Sequence, residues 1–180
     1  MEAPEDARRG SRPRRCRMSG LVAVDFGTFR QLQQLYSDYA SAVDSGQWDL
    51  WPEFFTTDSV YKLQPRENHE RGFPLSTLAF DSQAMLRDRV YGIKETLFHD
   101  PYYQRHVVGA PVVGAADEQG RLHCEANYAV FRTKLDGAST VFNVGRYLDI
   151  VVKTREGLKF AQRLCIYDSE MIPNSIVYPI

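Results

Sequence analysis

The chain has 180 residues, of which 25% are charged and 43% hydrophobic, and a formal net charge of −1. That suits one globular domain with an ordinary core, and it argues against a disordered chain or a body built to hold a polyanion. The apolar runs fall far short of the roughly 18 residues that cross a bilayer. Cys16, Cys124 and Cys165 are too few and too scattered for a disulfide framework, so a reduced, cytoplasmic setting fits.

Residues 1–17 differ from the rest, with six arginines set against Glu2, Glu5 and Asp6. A nucleic-acid arm would need interleaved aromatics and a basic face to continue it. An export signal would need an apolar core of about 7–15 residues, longer than Leu21-Val22-Ala23-Val24. A basic stretch of low hydrophobicity cannot pack a core. The expectation is therefore a loose extension over residues 1–18, with translation starting at Met18, and one domain over residues 19–180.

Phe29, Leu32, Leu35, Tyr36, Tyr39, Ala40 and Val43 recur at spacings of three and four, the stripe of an amphipathic helix. Thr28 and Gln31 resemble a capping box, and Ser45-Gly46 is a stop. A short helix over Asp49–Phe55 follows, with Asp49 as its cap and Pro52 tolerated in the first turn. Ser59–Gln64 alternates as a strand does, and Pro65–Pro74 reads as a charged loop. A third helix near Ser82–Leu97 carries Leu86, Val90, Ile93 and Leu97 on one face.

From there the period is two. Gln104–Val113, Arg121–Leu135, Thr140–Lys153 and Leu158–Ser169 are strand candidates. Asp117 to Gly120, Asp136-Gly137 and Arg155-Glu156-Gly157 form the turns between them. Gly109 and Pro111 mark a bulge or bend in the first. Helices followed by hairpin-linked strands predict an α+β fold, with N-terminal helices packed on a strongly curved antiparallel sheet, a cone. No helix separates the last four strands, which argues against parallel βαβ units.

Chemistry-bearing motifs are sparse. Among His69, His99, His106 and His123 there is no zinc-finger or His-Glu-x-x-His spacing. His123 with Glu125, and His99-Asp100 with His106, are loose metal candidates that read better as satisfied polar residues. There is no nucleophile elbow or phosphate loop, and Cys124 and Cys165 read as small buried hydrophobes. General acid–base catalysis needs only one carboxylate or histidine in an apolar pocket, and Asp44, His106, Tyr128 and Asp168 are the positions to test. Each has a plain alternative: a helix-end acid, a strand polar group, a packed tyrosine and a turn acid. The apolar ending Ile176-Val177-Tyr178-Pro179-Ile180 is unusual for a free chain end. It docks either on a partner or back on its own sheet, and Tyr and Arg around residues 99–106 are types enriched at interfaces.

Several stretches carry a family resemblance: Tyr36-Ser37-Asp38-Tyr39-Ala40, Trp51-Pro52-Glu53-Phe54-Phe55, Leu63-Gln64-Pro65-Arg66-Glu67-Asn68, His99 to His106, and Arg163 to Ser175. Together they resemble the small (beta) subunits of Rieske-type aromatic-ring-hydroxylating oxygenases, those of salicylate 5-hydroxylases in particular, over roughly Phe26 to Ile180. The resemblance implies the cone-shaped fold of nuclear transport factor 2 and a non-catalytic, structural role in aromatic-acid degradation. It implies a large (alpha) partner subunit carrying a Rieske [2Fe-2S] cluster and a mononuclear non-haem Fe(II), an α3β3 hexamer, and electrons from NADH through a reductase and ferredoxin. It carries over no catalytic, cofactor or metal residue, and this chain lacks the Cys-x-His and Cys-x-x-His pair of a Rieske site. Candidate interface residues are Tyr102, Tyr103, Arg105, Tyr178 and Ile180. Two other readings compete: a stand-alone lyase or isomerase of the same fold with a buried Asp/His pair, and a homodimeric small-molecule binder.

Overall fold

Asp25 starts the first helix, α1 (Phe26–Asp44). Its carboxylate accepts from the Thr28 amide at 3.0 Å and from the Thr28 hydroxyl at 2.6 Å. The cap therefore lies three residues before the expected Thr28, because an ionised carboxylate in extended backbone is a stronger acceptor for the first-turn amides than a hydroxyl. The helix closes at Ser45-Gly46, where Gly46 takes φ +69°. The computed structural model describes residues 24–169 and 176–180. The expected extension over residues 1–18, and residues 170–175 of the C-terminal motif, lie outside them.

Several local expectations are corrected. The aromatic cluster after α1 forms a 3-10 helix, Trp48–Phe54, and Asp49 does not cap it. Its carboxylate instead accepts from Lys94 at 3.1 Å. Strand β1 (Phe55–Pro65) is longer than expected. The charged segment after it holds a short helix, α2 (Arg66–Arg71), ended by Gly72 at φ +69°. A Glu67–Arg71 pair one turn apart supports it. Strand β2 (Leu78–Phe80) has only three residues, too few to show an alternation. Helix α3 (Gln83–Tyr91), capped by Ser82, passes into a π-helical turn at Gly92–Thr96. Leu86, Val90 and Ile93 of the expected stripe are buried, whereas Leu97, which follows the π-helical turn, is exposed.

The long strand expected over Gln104–Val113 is two strands, β3 (Tyr102–Val108) and β4 (Val112–Ala116), broken at Gly109–Pro111. Both pair with the same neighbour, β5 (Leu122–Lys134). Strands β6 (Thr140–Thr154) and β7 (Gly157–Tyr167) complete a sheet of order β2-β1-β7-β6-β5-β3. It is mixed rather than wholly antiparallel, because β1 pairs with β7 in parallel. Parallel neighbours need a long crossover, and here everything between residues 65 and 157 serves as one. Hairpin logic, which reads adjacent strands, does not reach a pair so distant in sequence.

Helix α1 packs against β3 and β7, and α3 against β1. The inward residues of the sheet meet Leu32, Tyr36, Tyr39 and Val43 of α1 and Trp51 of the 3-10 helix in one core. Register shifts interrupt the β1–β7, β4–β5, β5–β6 and β6–β7 ladders. Such irregularities raise local twist and curl the sheet around the helices. Gly145 lies where β6 comes closest to β7: a Cβ there would sit 2.0 Å from the Ile166 carbonyl oxygen and 2.8 Å from Tyr167 Cα. Only backbone faces this position, so nothing flexible can yield. Gly145→Ala is expected to lower unfolding free energy by about 1–3 kcal/mol or more, measured by urea titration.

Candidate functional site

The centre of the cone holds a buried ion pair. Arg163 reaches Asp149 through two parallel bonds, Nε to Oδ1 at 3.2 Å and Nη2 to Oδ2 at 2.8 Å, and Tyr36 donates its hydroxyl to the same Oδ2 at 2.5 Å. Both charged side chains are fully enclosed. Strand alternation puts them there: Asp149 lies between Tyr147 and Val151 on the inner face of β6, and Arg163 opposite it on β7. Four aromatic rings surround the guanidinium carbon, with centroids at 3.9 Å (Phe160), 4.1 Å (Tyr39 and Tyr147) and 5.0 Å (Tyr36). Burial pushes the Asp149 carboxyl up, opposed by the bonds from Arg163 and Tyr36. Burial alone would lower Arg163, but the facing carboxylate lifts it well above its ordinary value.

This pair was not singled out from the sequence. The available signal was a pair of opposite charges at inward positions of two neighbouring strands.

Of the four acid–base candidates, two meet. Asp44, the last residue of α1, accepts from the His106 backbone amide at 2.9 Å and bonds the His106 Nδ1 at 2.6 Å. The His106 ring is wholly enclosed and the Asp44 side chain nearly so, and among the described residues the ring's Nε2 has no hydrogen-bond partner. The pair clamps the end of α1 to strand β3. A shallow cleft of about 400 Å³ is lined by both residues of the pair, together with Tyr36, Ser37, Arg105 and Pro111. Tyr128 donates to Asn143 at 2.7 Å and stacks on Tyr147, while Asp168 pairs with Arg66 at 2.6 Å near the surface. These four groups do not form one active site.

The metal candidates are likewise separate. His123 faces Asp117 at 3.4 Å, and Glu125 faces Arg146 at 3.3 Å. His99 Nε2 bonds the Tyr178 hydroxyl at 2.6 Å. Among the described residues, no three His, Cys, Asp or Glu side chains converge as a metal would require. No described helix is long and apolar enough to cross a membrane.

The candidate interface residues divide. Ile180 is fully buried inside its own chain, so the tail adopts the folded-back arrangement. Tyr178 stacks on Trp48 and against Tyr102, with centroids 4.5 Å apart in each pair. Tyr103 and Arg105 point outward from β3. Register places Arg105 beside Phe131 and Val141, and Val107 beside Ala129 and Val144. The outer face of the sheet thus shows Tyr103 at 65%, Val107 at 57% and Val141 at 60% exposure, with Phe131 and Val144 between them.

A family model described as a SnoaL-like domain matches residues 28–164. The anthranilate 1,2-dioxygenase small subunit of Burkholderia cepacia is 31% identical over 159 residues, covering 88% of this chain and 98% of that one. A beta subunit of the terminal oxygenase component of terephthalate 1,2-dioxygenase from Comamonas sp is 29% identical, over 83% of this chain and 97% of its own. A solved structure from Novosphingobium aromaticivorans, described as the beta subunit of an aromatic-ring-hydroxylating dioxygenase, superposes with a TM-score of 0.76. It is 28% identical and covers 84% of this chain and 95% of that one. The chain belongs to the SnoaL-like domain family, in the branch formed by small subunits of aromatic-ring-hydroxylating dioxygenases.

Removing one member of the central pair strands a buried charge. Arg163→Met is expected to lower stability by about 3–5 kcal/mol, whereas Arg163→Met with Asp149→Leu recovers most of that loss in equilibrium unfolding. Burial also pushes the Cys124 and Cys165 thiols up to about 12. Peptide mapping after iodoacetamide treatment at pH 8 should find both unmodified in folded protein and alkylated once it is unfolded.

Proposed function

We propose that this chain is the structural, non-catalytic small subunit of a multicomponent aromatic-ring hydroxylase that acts on an aromatic acid. The observation that carries the reading is the match to dioxygenase small subunits over nearly the whole chain, joined to an interior closed by its own ion pair and tail. Anthranilate and terephthalate, named in two relatives, are both aromatic carboxylates. That supports an aromatic-acid substrate; hydroxylation of the salicylate 5-hydroxylase kind is the finer reading, carried by the sequence motifs alone.

The oxidising centre then belongs to the large subunit, which would carry the Rieske cluster and the mononuclear iron. The described residues of this chain do not fit either group. Three small subunits beneath three large ones, in a cytoplasmic α3β3 assembly fed from NADH through a reductase and ferredoxin, would fix the spacing between redox centres. A rigid base lowers the entropic cost of ordering such an assembly. The outer face around Tyr103, Arg105, Val107 and Val141 supplies the contact chemistry: an aromatic and an arginine beside an apolar band, the types that dominate binding energy at interfaces.

Co-expression with a Rieske large subunit is expected to yield a complex containing iron and both chains. The small subunit alone is expected to carry no stoichiometric iron and to leave salicylate unchanged. Tyr103→Ala with Arg105→Ala should weaken assembly tenfold or more, read by analytical ultracentrifugation, while the isolated chain keeps its melting temperature. One iron per isolated small subunit, or aromatic turnover by it alone, sinks the reading.

A further inference from the structure

The tail is held by side chains from four elements that lie far apart in the chain. Tyr39 of α1 and Tyr61 of β1 donate their hydroxyls to the main-chain oxygen of Ile180 at 2.8 and 3.1 Å, and the Ile180 amide donates back to Tyr61 at 3.0 Å. Gln104 of β3 donates to the Pro179 carbonyl at 2.9 Å. Arg89 of α3 donates one nitrogen to the carbonyls of Ile176 and Val177, at 2.9 and 2.8 Å.

All five tail residues are therefore bonded through their main chain, Tyr178 by its amide to the Tyr102 hydroxyl at 3.5 Å, while Ile176, Val177 and Ile180 fill apolar space. The Tyr178 ring takes an aromatic slot against Trp48 and Tyr102, with its hydroxyl on His99. Main-chain bonds joined to side-chain pockets are how a protein surface recognises an extended peptide. Ordinary core packing does not call for polar groups from α1, β1, α3 and β3 to meet on the main chain of one five-residue segment. Without an occupant, Tyr61, Gln104 and Arg89 would face an apolar chamber with their acceptors gone, a condition proteins avoid.

We infer that the mouth of the cone is a peptide-receptor site for an extended apolar segment, and that residues 176–180 are its resident and separable ligand. The Tyr178 ring is the outward part of that ligand, so occupancy also shapes the surface where β3 begins. The inference does not depend on assembly with a large subunit, because the test needs no partner.

The test titrates fluorescein-labelled Ile-Val-Tyr-Pro-Ile against the full-length chain, against full-length Ile180→Asp, and against a chain ending at Ser175, followed by fluorescence anisotropy and near-ultraviolet circular dichroism. The wild-type chain, already filled, is expected to bind at least tenfold more weakly than whichever variant frees the site. Adding Gln104→Ala to that variant should weaken binding about tenfold, and a labelled peptide carrying the Ile180→Asp change should not bind. A variant that is loose alone but regains its near-ultraviolet signal with peptide also supports the site. Binding by neither variant, equal binding by the wild type, or loss of fold that peptide does not restore overturns it; in that last case the tail is core and not ligand.

Discussion

An arginine and an aspartate locked together at the middle of the sheet constrain everything around them. Taking two ions out of water costs several kcal/mol each even in real proteins, and their attraction offsets this only with good geometry and satisfied partners. Here the geometry is two parallel bonds, the third partner is Tyr36, and the guanidinium lies against Phe160, Tyr39 and Tyr147, with Arg163 Nη1 left without a hydrogen-bond partner among the described residues. The arrangement requires α1 to present Tyr36 and Tyr39 at one depth, and β6 and β7 to pair in one register. A slip of one residue would turn Asp149 and Arg163 to the outer face. The pair therefore specifies as much as it stabilises.

The same group fills much of the interior. A cone-shaped fold offers a natural pocket on its concave side. In this chain that side is occupied by the ion pair, by the Tyr128–Tyr147 stack and by Ile180. On the convex face, valines, Phe131 and Tyr103 stand open beside arginine.

Much of this was legible in the residues, and the misses have physical causes. Helical stripes located α1 and α3, and the turns at Asp136-Gly137 and Gly157 separated β5, β6 and β7, because both signals are local. The bend at Gly109–Pro111 was visible, though not that it splits two strands. Asp44 and His106 were each named as candidates, yet their contact depends on how the end of α1 meets β3 across a separation of 62 residues. Helix α2 was hidden because a six-residue charged helix has no buried stripe. The Asp149–Arg163 pair was hidden because periodicity flags apolar positions, and a charge at one of them reads as noise until the opposing strand is known. For the tail, the sequence left docking on a partner and folding back equally open, and only the tertiary positions of Tyr39, Tyr61, Gln104 and Arg89 separate the two.

The parallel seam between β1 and β7 bears on how the molecule is made. Strand β1 leaves the ribosome among the first third of the residues, but the strand it must join is almost the last to emerge. Until then its inward Tyr61 and Leu63 have no sheet neighbour on that side. Closing so large a loop is slow relative to local hairpins, so maturation of this chain should be a post-synthetic event, with β5–β6–β7 zipped first and the N-terminal third recruited onto it. A nascent chain with an open seam of this kind exposes a strand edge, which makes translation speed and prompt release part of its route to a soluble product.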